Sequence, residues 1–512
     1  MKGIRLTKIA LLALGLLLVM PATIAADDTD ATMTIGIGIT LDTLDPAQQT
    51  TTTVMNVLDY ELQTLLTLDQ DGQLQPQLAE SWSWSEDGET LTLKLREGVK
   101  FHDGTPFDAE AVKFSLGRLI SDDVKVPIGI AFQVIESIEA VDAHTVRLNL
   151  RNPQPNLLPN LAFTVAAMLS PASVDAEGNS YTNMTQPVGT GPYQLVRRQQ
   201  GSQLVFERVD DYWGEPPYYS RVVFKIVPES NALEAGLLSG QLDLIMNPPV
   251  SDLQSLSQQD GITVLKAPSN RSIFVAFVTN KPPFDDKKVR QAINYAVDKE
   301  AIIKNVLFSA VDRMDSPFAA LLPGYCEVGG YDYDPNKAKE LLAEAGVESV
   351  SITMGAPRGR YTQDYQAAQA IASYLRKVDV DVKVETMDWA SYISLIGSTE
   401  NTLNSYMLGW APPAMDAPTQ LLMLTEEGWP PKGLNGTFYS DPEVEELFAK
   451  ARRELDAAKR DEMYCEIQKK LWDDAPWLWL WSQNLILAYN SDIEGISYQP
   501  NEKFMTIYAH PK

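Results

Sequence analysis

The stretch RVVFKIVPESNALEAGLLSGQLDLIM, Arg221–Met246, decides the fold class. "RVVFKIV" is a β-branched apolar run and reads as a strand. "PESNALEAGLLSG" then reads as a helix, with Ser230 as its cap and Gly240 closing it, and "QLDLIM" returns as a strand. Strand, helix, strand at this spacing implies two parallel strands joined by a right-handed crossover.

Signals of the same kind run outward from it. Glu89–Leu95 and His144–Leu150 alternate apolar and polar residues at period two, as half-buried strands do. They lie among turns and suggest a β-rich unit around 66–182. Downstream, "KPPFDDKKVRQAINYAVD" (Lys281–Asp298) places Asp285 as a helix cap with Phe284 stapled to Val289, and Asp298 as the next cap. Asp334 caps a helix with Pro335 in its first turn and Gly346 as its stop, and Asp441 caps another. "VDVKVETM" (Val380–Met387) alternates as a strand, and the chain approaches its end with the aromatic run "PWLWLWSQNLILAYN" (Pro476–Asn490). The expected class is α/β with several lobes.

At 512 residues the chain is long enough for two to four globular units, and 45% hydrophobic with 21% charged residues is ordinary for a folded protein. Lys2, Arg5 and Lys8 precede an apolar run from Ile9 to Met20, broken by Pro21 and followed by small residues. This reads as a signal peptide over 1–26, cleaved after Ala25 or Ala26, and predicts export to the periplasm. A formal charge of −26 repels nucleic acid and anionic lipid and reads as solubility. In an exported chain the two cysteines, Cys326 and Cys465, are read as a disulfide, with two buried thiols as the alternative.

Catalytic and metal-binding patterns are thin. His102, His144 and His510 are scattered without ligand spacing, so no metal site is expected. No cofactor is expected either: a nucleophile elbow, a phosphate loop and a dinucleotide fingerprint are all missing. "IGIGIT" (Ile35–Thr40) is read as structural. A secreted hydrolase working with two carboxylates stays open as an alternative. The densest polar cluster, "VKFHDGTPFDAEAVKFSLGRL" (Val99–Leu119), has a local explanation. Asp-Gly and Thr-Pro form a turn, Asp108 caps a helix, Phe107 staples to Val112, and Glu110 favours the helix's positive end. His102 has no role in that reading.

The longer segment "LAESWSWSEDGETLTLKLREGVKFHDGTPFDAEAVKFSLGR" (Leu78–Arg118) closely resembles the signature region of the extracellular solute-binding proteins of family 5, the peptide- and nickel-type receptors of ABC importers. Further landmarks of that family follow its order. They are "LDPA" (Leu44–Ala47), "PVGTGPYQL" (Pro187–Leu195), "DYWGEPPYYSRVVFKIVPES" (Asp211–Ser230), "LLSGQLDLI" (Leu237–Ile245), "PFDDKKVRQAINYAVDKEAII" (Pro283–Ile303), "YDPNKAKELLAEAG" (Tyr333–Gly346) and "LGWAPPAMDAP" (Leu408–Pro418). The resemblance covers essentially the whole mature chain.

It implies a two-lobed periplasmic binding protein (type II, closing like a flytrap) with a β-rich subdomain inserted in lobe I. Lobe I would comprise 27–65, 183–268 and the tail 483–512, the insert 66–182, and lobe II 269–482. The implied function is that of a receptor, not an enzyme. A monomer would capture a di- or oligopeptide, or a peptide-like solute such as glutathione, and deliver it to membrane permease subunits. An oligosaccharide is the alternative ligand within the family. Peptide receptors of this kind hold the ligand's amine with an Asp just after a Gly-Trp pair, which here is Asp416 after Gly409-Trp410. The ligand carboxylate would meet Arg358 or Arg360. Trp410 and Trp389 would line the cleft, and Thr51, Thr52 and Thr53 would approach from lobe I.

Overall fold

The computed structural model describes residues 31–512 apart from 40, 42, 128, 176–177, 413–414 and 432, so the expected signal peptide lies outside the described residues. One mixed sheet of eleven strands organises the chain. Its strands are β1 (Thr32–Ile37), β2 (Tyr193–Gln199), β3 (Gln203–Arg208), β4 (Arg221–Ile226), β5 (Leu244–Met246), β6 (Ile262–Phe277), β7 (Val311–Arg313), β8 (Val350–Gly355), β9 (Val380–Glu385), β10 (Ser405–Trp410) and β11 (Trp477–Asn490). The order across the sheet is β2-β3-β4-β1-β5-β11-β6-β10-β8-β9, with β7 added on β11.

The strand–helix–strand unit forms as its sequence predicts. β4 and β5 both run parallel to β1, which lies between them, and the helix Ser230–Leu238 crosses over. Leu233 and Leu237 bury the helix against Ile245 and Ala488. Gly36 of β1 makes this close packing possible, because a Cβ there would stand 2.6 Å from a methyl of Leu233. The cap is one residue earlier than expected: Glu229 holds that position and its carbonyl accepts from the amides of Ala232 and Leu233, so Ser230 is already helical.

Most predicted caps hold. Asp108, Asp298, Asp334 and Asp441 each accept backbone amides of the first turn. Besides Ser230, the exception is Asp285, since the helix Lys287–Ala296 is capped by Asp286, whose carboxylate accepts from the Lys288 amide. The physical reason is Arg290, which draws the carbonyls of Phe284 and Asp285 to its guanidinium at 2.9 and 3.4 Å and keeps them out of the helix.

β6 and β11 are the long members of the sheet and pair antiparallel along nearly their whole length. The outer half of β11 meets β5, while β7 pairs with β11 around Ser482 and the inner half of β6 meets β10. Between the halves the register slips at Pro268–Arg271, where Ser269 and Asn270 bulge out of the ladder. Ser269 donates to the Gln483 carbonyl, and Asn270 bonds to the backbone of Pro500 and of Pro412. A bulge bends a strand and re-aims its side chains, and here it sits midway along the crossing pair.

Buried apolar side chains gather in clusters that follow the chain. One holds buried residues between 47 and 168, around the four-stranded sheet of Ala79–Trp84, Thr90–Leu95, Thr145–Leu150 and Ile135–Asp142, with Met415 joining from afar and Val188 and Trp213 packed against it. A second unites 33–62 with 167–267 and 485–509, and two more lie between 273 and 481. The tryptophans of β11 belong to these interiors. Trp477, Trp479 and Trp481 are all buried, and Trp477 stacks on Phe274. Cys326 and Cys465 form the expected disulfide, with Cα atoms 5.5 Å apart, tying a loop to the helix Ala457–Asp474.

Lys299 is 3% exposed and donates to the Tyr331 carbonyl at 3.1 Å. Burial, with the Arg313 charge adding to it, pushes its ammonium down to about 7. The unfolded chain keeps that proton to near 10.4, so it binds more protons than the fold between those values, and stability rises with pH across that window. Lys299→Met is therefore expected to stabilise the protein at pH 6, by about 1–4 kcal/mol, with the advantage shrinking by pH 9. The Tyr331 carbonyl keeps Arg313 as donor. Urea unfolding of both proteins at pH 6, 7.5 and 9 checks this, and a gain independent of pH would refute it.

Candidate ligand cleft

The bulge between the halves of β6 and β11 opens onto a small cavity of about 40 Å³. Thr51, Thr52 and Thr53 line it at the start of the helix Thr52–Leu58, Met246 and Asn247 at the end of β5, and Arg271 from β6. Gln483, Asn484 and Leu485 of β11, Arg360 and Glu502 complete the wall. β5, β6 and β11 at the sheet's centre thus each contribute to the wall of one cavity.

Arg271 and Glu502 form its fixed charges. The guanidinium grips the carboxylate through Nε at 2.8 and 2.9 Å and through Nη2 at 2.5 Å, a fork that uses both oxygens. Burial opposes the charge on Arg271, but Glu502 outweighs it and holds the guanidinium above its ordinary value. The turn carrying Glu502 is stitched to the helix Thr52–Leu58. Its carbonyl accepts from Asn56 at 3.1 Å, and Lys503 pairs with Asp59 at 2.8 Å. Glu502 itself has φ +66°, an uncommon conformation for this residue type.

Arg360 differs. Its loop is clamped by the buried carboxylate of Asp364, which accepts the backbone amides of Gly359, Arg360, Tyr361 and Tyr365 at 2.8–3.0 Å. The side chain lies over the rings of Tyr361 and Trp389, 5.1 and 5.2 Å from their centroids. Among the described residues its guanidinium has no ion pair and no hydrogen bond. Burial, and next to it the like charge of Arg271, hold it below its ordinary value. A guanidinium placed this way is ready to receive an anionic oxygen.

The other expected residues are distributed as follows. Thr51, Thr52 and Thr53 line the cavity with Arg360, and Trp389 supplies one of the rings beneath it. Arg358 points elsewhere, exposed over the Tyr365 ring. Trp410 turns its indole N–H to the Thr419 carbonyl at 3.2 Å. Asp416 is 4% exposed and lines a different cavity, together with Asn156 and Tyr464. Its carboxylate accepts from the Thr419 amide and from the side-chain amides of Asn156 and Asn160, at 3.2, 2.7 and 3.3 Å. Burial raises its pKa. It thereby joins the segment after β10 to the β-rich unit.

Sequence reading missed Arg271, Glu502, Gln483 and Asn484. A signal existed for the first: "ITVLKAPSNRSIFVAF" sets a cation midway along a strand, just before the apolar run Ile273–Phe277. Glu502 sits in an unremarkable polar turn, and only its partner reveals it.

His102 finds its role outside the cleft. Its imidazole donates from Nε2 to the Gly191 carbonyl at 2.8 Å, while Nδ1 faces Glu61 at 3.6 Å. Burial raises the Glu61 pKa, against the pull of His102. Gly191 must be glycine, because a Cβ there would stand 2.6 Å from the Tyr60 carbonyl oxygen. The two landmarks containing His102 and Gly191 therefore meet at one junction.

Comparison with known proteins agrees with this architecture. Residues 73–431 match the family described as "Bacterial extracellular solute-binding proteins, family 5 Middle". The glutathione-binding protein GsiB of Pectobacterium atrosepticum is 32% identical over 475 residues, covering 92% of each chain, and that of Escherichia coli K12 is 30% identical, covering 96% and 97%. Among solved structures, the dipeptide-binding protein of Pseudoalteromonas sp. SM9913 in complex with Met-Leu superposes with a TM-score of 0.85 at 26% identity, over 94% of this chain and all of that one. The periplasmic binding protein DppA of Helicobacter pylori, in complex with the peptide STSA, gives 0.84 at 26% identity, over 94% and 99%. The fold is the two-lobed one of type II periplasmic binding proteins, and the chain belongs to the bacterial extracellular solute-binding proteins of family 5.

Proposed function

We propose that this protein is the exported receptor of a peptide-type ABC importer, and that it encloses a peptide or a peptide-like solute such as glutathione between two lobes. The observation that carries this reading is Arg360, a guanidinium clamped at the cavity wall without a carboxylate of its own. A ligand carboxylate would complete it, and the threonines opposite would take further polar groups.

The lobes follow the ranges given by the resemblance: 27–65, 183–268 and 483–512 for lobe I, 66–182 for the insert and 269–482 for lobe II. Supporting this division, the apolar clusters separate along those ranges and β6 and β11 cross at the bulge. Asp416 is assigned to closure, because its carboxylate is filled by donors from the insert and from its own helix. The monomer would hold its ligand unchanged and present the closed surface to a permease. A sugar receptor would need flat aromatic walls, and none of the described residues lining this cavity is aromatic.

The test is to unfold the purified protein, refold it free of ligand, and measure thermal shifts with short peptides, glutathione and oligosaccharides. Stabilisation by a peptide-like solute, recovered intact, is expected. Stabilisation by a sugar and by no peptide, or the appearance of a product, would overturn the reading.

A further inference from the structure

The charges facing the cavity are unbalanced. Arg271 and Arg360 present two guanidiniums, and Glu502 is the one carboxylate among the described residues that line it. Glu502 has both oxygens in the fork with Arg271. The acids next to the lining residues are already engaged. Asp364, in the loop of Arg360, accepts four backbone amides, Asp59 pairs with Lys503, and Asp312 accepts from Asn484 and faces Lys266 at 3.8 Å. An ammonium entering this space finds neutral oxygens and the uncompensated charge of Arg360. A second carboxylate finds donors.

We infer that the cleft selects solutes carrying more carboxylates than amines, so that N-blocked or additionally acidic peptides bind ahead of peptides with a free amine and one carboxylate. This rests on the peptide reading above and names the ligand's charge class within it. The physical ground is that a charge taken out of water must be met by an opposite charge or by several hydrogen bonds, and the wall supplies those for an anion. Glutathione, with two carboxylates and one amine, falls on the favoured side.

The experiment uses the refolded, ligand-free protein and calorimetric titration with Ala-Ala, tri-alanine and tetra-alanine, each with a free and an acetylated amino terminus. At equal length the acetylated peptide is expected to bind at least tenfold tighter. Asn247→Asp supplies the missing acid. Asn247 lines the cavity at φ +52°, a conformation that Asp tolerates, and the change is nearly isosteric. In that variant the preference for the acetylated peptide is expected to narrow or reverse. Equal affinities for free and acetylated peptides, or tighter binding of the free ones, would overturn the charge selection while leaving the peptide reading intact. If neither these peptides nor glutathione, titrated alongside them, binds, both readings fall together.

Discussion

Arg360→Gln is expected to weaken binding of the best peptide ligand by about 30- to several-thousand-fold while leaving the melting temperature of the ligand-free protein nearly unchanged. Truncating one partner of a desolvated charge pair costs about 2–5 kcal/mol of affinity, and each 1.4 kcal/mol is a factor of ten. The fold loses little, because the guanidinium makes no hydrogen bond among the described residues and rests on two rings, each contact worth about 0.5–1 kcal/mol at a partly exposed site. Arg358→Gln is the internal control: its exposed side chain over Tyr365 predicts less than a threefold change. Asp416→Ala should show the opposite pattern to Arg360→Gln. It strips the acceptor from Asn156, Asn160 and the Thr419 amide, so it lowers the melting temperature of the ligand-free protein. Calorimetric titration and thermal melts of the three variants decide the matter. A loss of affinity confined to Arg358→Gln would move the carboxylate contact out of the cavity.

What could be read from sequence follows the range of the interaction concerned. Asp108, Asp334 and Asp441 were legible as caps because their partners lie two or three residues on. Asp285 against Asp286 was not, because the choice is made by Arg290 reaching back to two carbonyls. The turn at Asp103 was local as well, its carboxylate accepting from Thr105, yet it also takes Ser170 from 67 residues away. The cleft lies beyond such reading. Arg271 and Glu502 are 231 residues apart, and a polar turn near the end of a chain gives no sign that it closes a cavity. The tryptophans of β11 show the converse problem. Their alternation marks a strand, but which side meets ligand and which meets core depends on what packs on each face, and here both faces are covered.

Arg118→Met is expected to cost about 3–5 kcal/mol of stability, the usual penalty for leaving a buried charge without its partner. Asp45 and Arg118 are 0% and 1% exposed. The guanidinium meets the two carboxylate oxygens at 3.2 and 2.5 Å, and its Nε donates to the Tyr181 carbonyl at 2.7 Å. Asp45 also accepts the amides of Ala47 and Met184 at 3.0 and 2.8 Å, so one ion pair holds three chain segments. These residues belong to two of the stretches that carry the family resemblance, "LDPA" and the end of the long signature. Their meeting ties the two stretches together physically: among the described residues each is the other's ion-pair partner in a dry interior. Neither residue lines the ligand cavity. Urea unfolding should therefore show the full loss in Arg118→Met, while peptide affinity, measured where the variant is still folded, changes less than about threefold, the range of a surface substitution. Arg118→Met leaving stability unchanged would mean that the pair is solvated in solution. A large loss of affinity without a loss of stability would mean that the junction of these three segments sets the shape of the candidate cleft.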